Sequence, residues 1–156
     1  MTSMQDDAGG HLTEYVTVVI GDQLFGLPIA RVQDVFVPDR LTRVPLAPPE
    51  VAGILNLRGR VVTAIDMRSR LDLGKRQPGE PVMAIGIELR GESYGLLVDS
   101  VGEVMKLKTA ECEAKPINLE ARLARVVAGI YRLEGQLMVV LDVDRVLELR
   151  NNAIAA

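Results

Sequence analysis

The chain is written twice. Val16 to Val35 lies over Ile85 to Val104 at a constant offset of 69, which sets Phe25 on Tyr94, Gly26 on Gly95, Leu27 on Leu96, Ile29 on Val98, Val32 on Val101, Asp34 on Glu103 and Val35 on Val104. At an offset of 76, Val51-Ala-Gly-Ile54 falls on Val127-Ala-Gly-Ile130, Leu57 on Leu133, Gly59 on Gly135, Ile65 on Leu141, Asp66 on Asp142 and Leu71 on Leu147. The offset grows by 76 − 69 = 7, so a seven-residue insertion, in the region of Cys112, separates the two hairpins of the second half. Repeats of this length made of short strands and turns are the scale of a small β-barrel. The predicted class is mainly β, with two small barrels packed together.

Local signals fill in each repeat. Tyr15 to Ile20 is a β-branched run ended by Gly21-Asp22, and Leu24 to Ile29 returns from it as a hairpin. Arg31 to Phe36 spaces Val32, Val35 and Phe36 in a way that fits a strand or a helical turn equally. Pro38, Pro45, Pro48 and Pro49 make the following stretch a loop. Val51 to Leu57 and Val61 to Ile65 flank Arg58-Gly59-Arg60 as a second hairpin, after which Asp66 is placed to cap a short helix over Met67 to Leu71. Gly74 to Pro81 has linker composition. The expected division is therefore a flexible tail over 1–13, one domain over 14–149 built of repeats at about 14–75 and 82–149, and a tail over 150–156. This arrangement admits strand exchange between the repeats.

Composition narrows the chemistry. Hydrophobic residues are 48% of the chain, yet only Tyr15, Phe25, Phe36, Tyr94 and Tyr131 are aromatic and Trp is absent, so the core must be aliphatic. His11 is the single histidine and falls in the polar N-terminal stretch, which leaves a Ser/His/Asp or Cys/His mechanism without a positioned base and rules out a His-rich metal site. The best remaining enzyme would pair Asp66 with Asp142 as a carboxylate dyad. Neither is followed by the Thr/Ser-Gly turn that exposes such a dyad in aspartic proteases, and helix capping accounts for both. A net charge of −3 and few aromatics argue against a nucleic-acid surface. The lone Cys112 predicts a reducing compartment, hence the cytoplasm. Met1 to Gly10 predicts neither signal peptide nor anchor, and no stretch reaches the roughly 18 apolar residues of a membrane span.

The repeat also sorts positions. Those matched in both halves (Gly26/Gly95, Gly53/Gly129, Gly59/Gly135, Asp66/Asp142) are expected to serve the fold, as turn glycines and helix caps. Those that diverge within the shared frame are candidates for function. The sharpest case is Asn56-Leu-Arg58-Gly against Arg132-Leu-Glu134-Gly, where the charge at the turn reverses. A solvated turn arginine is the alternative reading of Arg58.

Phe25-Gly-Leu-Pro-Ile29, Arg31-Val-Gln-Asp-Val35, Leu41-Thr-Arg-Val-Pro45, Val51-Ala-Gly-Ile-Leu-Asn-Leu-Arg-Gly59, Val62-Thr-Ala-Ile-Asp-Met-Arg68 and Tyr94-Gly-Leu together resemble the CheW family of chemotaxis coupling proteins, over residues 14 to 149. The resemblance implies two SH3-like, five-stranded β-barrel subdomains with short helical segments. It also implies a cytoplasmic, non-enzymatic adaptor, without cofactor, metal or catalytic residue, recruited to membrane-associated chemoreceptor arrays. The implied partners are the signalling tip of a chemoreceptor and the regulatory domain of a CheA-type histidine kinase. The same family serves flagellar arrays and non-flagellar systems such as type IV pili, gliding and surface sensing. By motif position the receptor-facing groove between subdomains maps onto Val32, Asp34, Val35, Thr42, Gly53, Asn56 and Arg58. Asp34 stands where the family often has Glu, one methylene longer. Chemically, Val32 and Val35 would offer an aliphatic floor, Gly53 room for a partner's backbone, and Arg58 a directional donor set steadied by Asp34. The kinase-facing surface is expected among exposed apolar residues near strand ends in both halves.

Overall fold

The computed structural model describes residues 5–6, 10–114 and 121–148. Its strands are β1 (Gln5–Asp6), β2 (Gly10–Ile20), β3 (Gln23–Pro28), β4 (Asp34–Phe36), β5 (Val51–Leu57), β6 (Arg60–Asp66), β7 (Met83–Leu89), β8 (Glu92–Val98), β9 (Ser100–Lys108), β10 (Val127–Leu133) and β11 (Gln136–Leu141). The helices are single turns: α1 (Met67–Leu71), α2 (Ala121–Ala124) and α3 (Val143–Val146). Arg31 to Phe36 resolves into the end of a 3₁₀ turn, Ile29–Arg31, followed by the short strand β4. The ordered N-terminal strand begins at Gly10 rather than after residue 13, because Leu12 and Thr13 pair with Lys108 and Leu107 of β9. His11 therefore belongs to a strand. Residues 150–156 lie outside the described residues.

Both repeats fold to the same register. The β2–β3 hairpin pairs Val16 with Leu27, and β7–β8 pairs Ile85 with Leu96. A bulge sits between Val51 and Gly53 in β5 and between Val127 and Gly129 in β10. The sheets, however, cut across the repeats. In the first sheet the order is β9-β2-β3-β11-β10, with β1 against the start of β2; in the second it is β4-β7-β8-β6-β5. Each sheet thus takes its first hairpin from one repeat and three further strands from the other. The joint is a parallel pairing, β3 with β11 and β8 with β6.

The expected SH3-like barrels are formed by curled sheets whose edges are not fully hydrogen-bonded to each other. A single bridge, Glu113 to Ile130 in the first and Thr42 to Ile54 in the second, carries the chain leaving one edge strand onto the other edge. The reason is local: Gly129 and Gly53 leave room for the approaching backbone, and a Cβ on Gly53 would come within 2.5 Å of the Thr42 carbonyl oxygen. Gly26 and Gly95 also serve packing rather than turns. A Cβ on Gly26 would meet the Met138 thioether, and one on Gly95 would press on the Phe36 ring.

Side-chain alternation produces three apolar layers. Val16, Val18, Ile20, Phe25 and Leu27 of the first sheet meet Ile65, Ile85, Ile87, Leu96 and Val98 of the second in a shared central core, joined by Met67 and Leu71 of α1 and Val143 and Val146 of α3. The opposite faces line the two barrel interiors. Tyr15, Tyr131, Met138 and Val140 fill the first, where the tyrosine rings meet edge to face at 5.4 Å and their hydroxyls at 3.3 Å. Burial, then the hydrogen bond with Tyr15, pushes the Tyr131 phenol far above its ordinary value. Leu55, Val62, Ala64, Ala84 and Leu97 fill the second interior.

Ile85 is fully buried in the central layer. Ile85→Ala is expected to cost about 2–5 kcal/mol. Because the sheets interlock, amide exchange should accelerate in β10 and β11 together with β7 and β8; retained protection in β10 and β11 alone would contradict a shared core.

Candidate functional site

The edges of the second sheet, β4 and β5, are the two ends of its strand order yet meet in space, because the sheet curls and residues 37–50 strap one to the other. Across this seam Arg58 Nη1 lies 4.0 Å from Asp34 Oδ2. Arg58 occupies the two-residue β5–β6 turn with φ of 54°, followed by Gly59 at 83°, the backbone pattern that a tight hairpin of this twist requires. Asn56 Oδ1 accepts the Gly59 N–H at 2.9 Å and braces the turn. The Arg58 side chain is 77% exposed, so the pair adds about 0–1 kcal/mol and its effect is to orient the guanidinium. Asp34 is positioned by the strand beside it. It pairs with Gly86 of β7, and a Cβ on Gly86 would occupy the space of the Asp34 carboxylate.

The sequence-derived set of seven residues divides over two faces of β4. Asp34, Thr42, Gly53, Asn56 and Arg58 belong to the seam. Val35, paired with Ile85 of the central core, turns to the opposite face, and the half-buried Val32 packs against that core. All seven residues lie on the second sheet, its strap and the segment that leads from the 3₁₀ turn into β4, with Val32 and Val35 on the face turned to the core shared by the two sheets. Gly53 is also not open to a partner's backbone: the Thr42 carbonyl fills that space, and Thr42 exchanges both backbone hydrogen bonds with Ile54 at 2.8 Å.

Three features were missed in the sequence. The strap carries exposed aliphatics, Val37, Leu41, Val44 and Leu46, the last 98% exposed; apolar residues interleaved with prolines were their only signal. Gly86 stands opposite Thr17 of the other repeat, a divergence of the kind that singled out Arg58. The third is a set of arginine clamps. Arg68 of α1 grips Asp99 through Nε at 3.1 Å and Nη2 at 2.7 Å, while Asp99 also accepts the Gly21 N–H at 2.8 Å. Arg70 donates to the carbonyls of Val146 at 2.8 Å and Arg145 at 2.9 Å at the end of α3, and Arg31 meets Asp144 at 2.9 Å. Burial works to raise the Asp99 carboxyl, but the hydrogen bonds from Arg68 and Gly21 and the charges of Arg68 and Arg76 outweigh it and hold Asp99 below its ordinary value. Asp66 and Asp142 each cap their own helix, accepting from Arg68 N at 3.1 Å and Arg145 N at 3.3 Å.

Two interlocked barrels whose prominent features are clamps and exposed seams define a class of protein that works through its surfaces. The CheW-like domain model matches residues 14–151, and the chain belongs to that family. Among curated relatives, the chemotaxis protein CheW of Rhizobium meliloti (strain 1021) is 29% identical over 147 residues, covering 90% of this chain and 93% of that protein. The chemotaxis protein CheW of Bacillus subtilis (strain 168) is 25% identical over 140 residues, covering 90% of each. The crystal structure of the scaffolding protein TtCheW from Thermoanaerobacter tengcongensis matches with a TM-score of 0.79 at 28% identity, over 88% of this chain and 94% of that one.

The Asp99 clamp gives stability a pH dependence. A carboxyl held below its ordinary value of about 3.9 stabilises the fold above that pH and loses the contribution as pH falls through the lowered folded value. Asp99→Asn should cost about 1–3 kcal/mol at pH 7, with the gap to wild type closing progressively as pH falls below the ordinary carboxyl value of about 3.9. Denaturant melts across pH measure it; a gap independent of pH would refute the clamp.

Proposed function

We propose that the chain is a non-catalytic signalling adaptor that couples the cytoplasmic signalling tip of a chemoreceptor to the regulatory domain of a CheA-type histidine kinase. The observation that carries this reading is the CheW-like match over residues 14–151. Its setting is the cytoplasmic face of a membrane-associated receptor array; among the described residues no helix is long and apolar enough to cross a membrane.

For the receptor we assign the edge of the second sheet. Arg58 projects from its turn and supplies a forked donor set, Asp34 aims it, and a helical tip lying along β4 also reaches Val35 and Val32 on the other face. Asn56, Thr42 and Gly53 support that surface by holding the turn and the strap in place. For the kinase we assign the exposed aliphatics that recur in both repeats. Val61 and Leu137 follow the two equivalent turns and are 61% and 43% exposed. Exposed aliphatics repeated at equivalent positions give each sheet a similar apolar contact, which suits a partner built from the same module.

Arg58→Ala should leave the melting temperature almost unchanged, since alanine meets the same backbone penalty in the turn, and should weaken binding to a receptor signalling-tip fragment about tenfold. Wild-type binding in a pull-down and by calorimetry would overturn the assignment. The kinase regulatory domain should bind without nucleotide, and Leu137→Asp should weaken that binding by an order of magnitude or more. Calorimetry showing no heat with the cognate domain would refute the adaptor reading.

A further inference from the structure

The seam of the first sheet is built on the same frame as that of the second but carries different charges. Asp34 and Arg58 of the second have as their counterparts Glu103 on β9 and Glu134 on the β10–β11 turn. Both glutamates line an open cavity of about 470 Å³ whose floor is Leu24, Met105 and Leu133 and whose rim includes Gln136. In the second sheet Gly86 leaves space for the Asp34 carboxylate to fold down, and Arg58 neutralises it from within the chain. In the first sheet Thr17 takes the place of Gly86. Its hydroxyl donates to the Glu103 carbonyl at 2.7 Å across a bulge, and a Cβ on Gly102 would come within 2.7 Å of that hydroxyl. Glu103 therefore stays exposed and lines the cavity together with a second carboxylate, where its counterpart is paired with a guanidinium.

Nearby cations are committed elsewhere. Lys106 and Lys108 alternate with Met105 and Leu107 to the other face of β9, and Arg132 is held by Glu113 at 2.8 Å. Among the described residues none that lines the cavity is basic, and no group of three potential ligands could hold a metal ion. The aliphatic floor matches the methylene stem of a long cationic side chain, whose head the two carboxylates would receive. Among the described residues β9 pairs with β2 alone, so its outer edge offers backbone donors and acceptors to an extended segment.

We propose that this groove docks a segment of a partner protein that presents a lysine or arginine, flanked by aliphatic residues, between Glu103 and Glu134. The site is separate from the Arg58 seam and does not depend on what binds there.

The test is an amide-resonance titration of the full chain at low ionic strength with the synthetic peptide acetyl-Ser-Val-Arg-Val-Ser-amide. Resonances of Gly102, Glu103, Leu133, Glu134 and Gln136 should move, the peptide with Glu in place of Arg should leave them still, and added salt at about 0.3 M should weaken binding severalfold. Glu103→Lys/Glu134→Lys should weaken binding at least tenfold, and Arg58→Ala should leave it unchanged. Should the double variant fail to fold, Glu134→Gln on the exposed turn replaces it, with a severalfold loss expected. Absence of shifts at millimolar peptide, equal shifts with the Glu peptide, or unchanged affinity in the folded glutamate variant would overturn the proposal.

Discussion

The structure depends on one layer of aliphatic side chains between two sheets, neither of which is complete without strands from both repeats. A β2–β3 hairpin alone would expose Val16, Val18, Ile20, Phe25 and Leu27 on one face and Tyr15 and Leu24 on the other. It is covered on both sides only when β9 and β11 of the second repeat flank it. The same holds for β7–β8 between β4 and β6. Exchange converts two marginal repeats of small-barrel size into one core of sufficient depth. The arginine clamps follow from it: Arg68, Arg70 and Arg31 each join elements from different repeats, Arg70 at the carbonyl end of α3.

This origin explains what could be read from the residues alone. Hairpins, their turns and the capped helical turns are local, and both offsets reproduce them: Val51–Leu57 and Val127–Leu133 are strands of identical span, and Asp66 and Asp142 cap as their chemistry requires. Which strand pairs with which is not local. Val18, Ile20, Leu96 and Val98 read as continuous apolar runs because strands buried on both faces lose their alternation, and such a run carries no mark of its neighbour. The exchange was therefore admitted by the repeat pattern but not dictated by it. Arg68 and Asp99 are 31 residues apart in chain order, so their pairing had no local sequence signal.

At the candidate site the same division holds. Arg58 stood out because the repeat supplied an internal control, Glu134, and the turn holds it where that contrast placed it. Gly53 was misread in mechanism. Its match with Gly129 already marked it as a fold residue, and the Thr42 carbonyl shows the steric reason. Val35 faces away from Asp34 because successive residues of a strand alternate, and the boundary between the 3₁₀ turn and β4 sets that alternation.

Duplication supplies two copies of each surface, and single-position changes then separate their roles. Exposed aliphatics stay paired across the repeats, Val35 with Val104 and Val61 with Leu137, so the two sheets keep similar apolar contacts. The seams diverge instead. Exchanging Thr17 for Gly86 decides whether the nearby carboxylate folds inward or remains at the mouth, and exchanging Glu134 for Arg58 decides whether its cation comes from the chain or from outside. None of these four side chains belongs to the central layer, so their identities vary without disturbing the packing that both sheets share. Specificity in this architecture is therefore written at the seams, where a single bridge joins the two edges of each sheet.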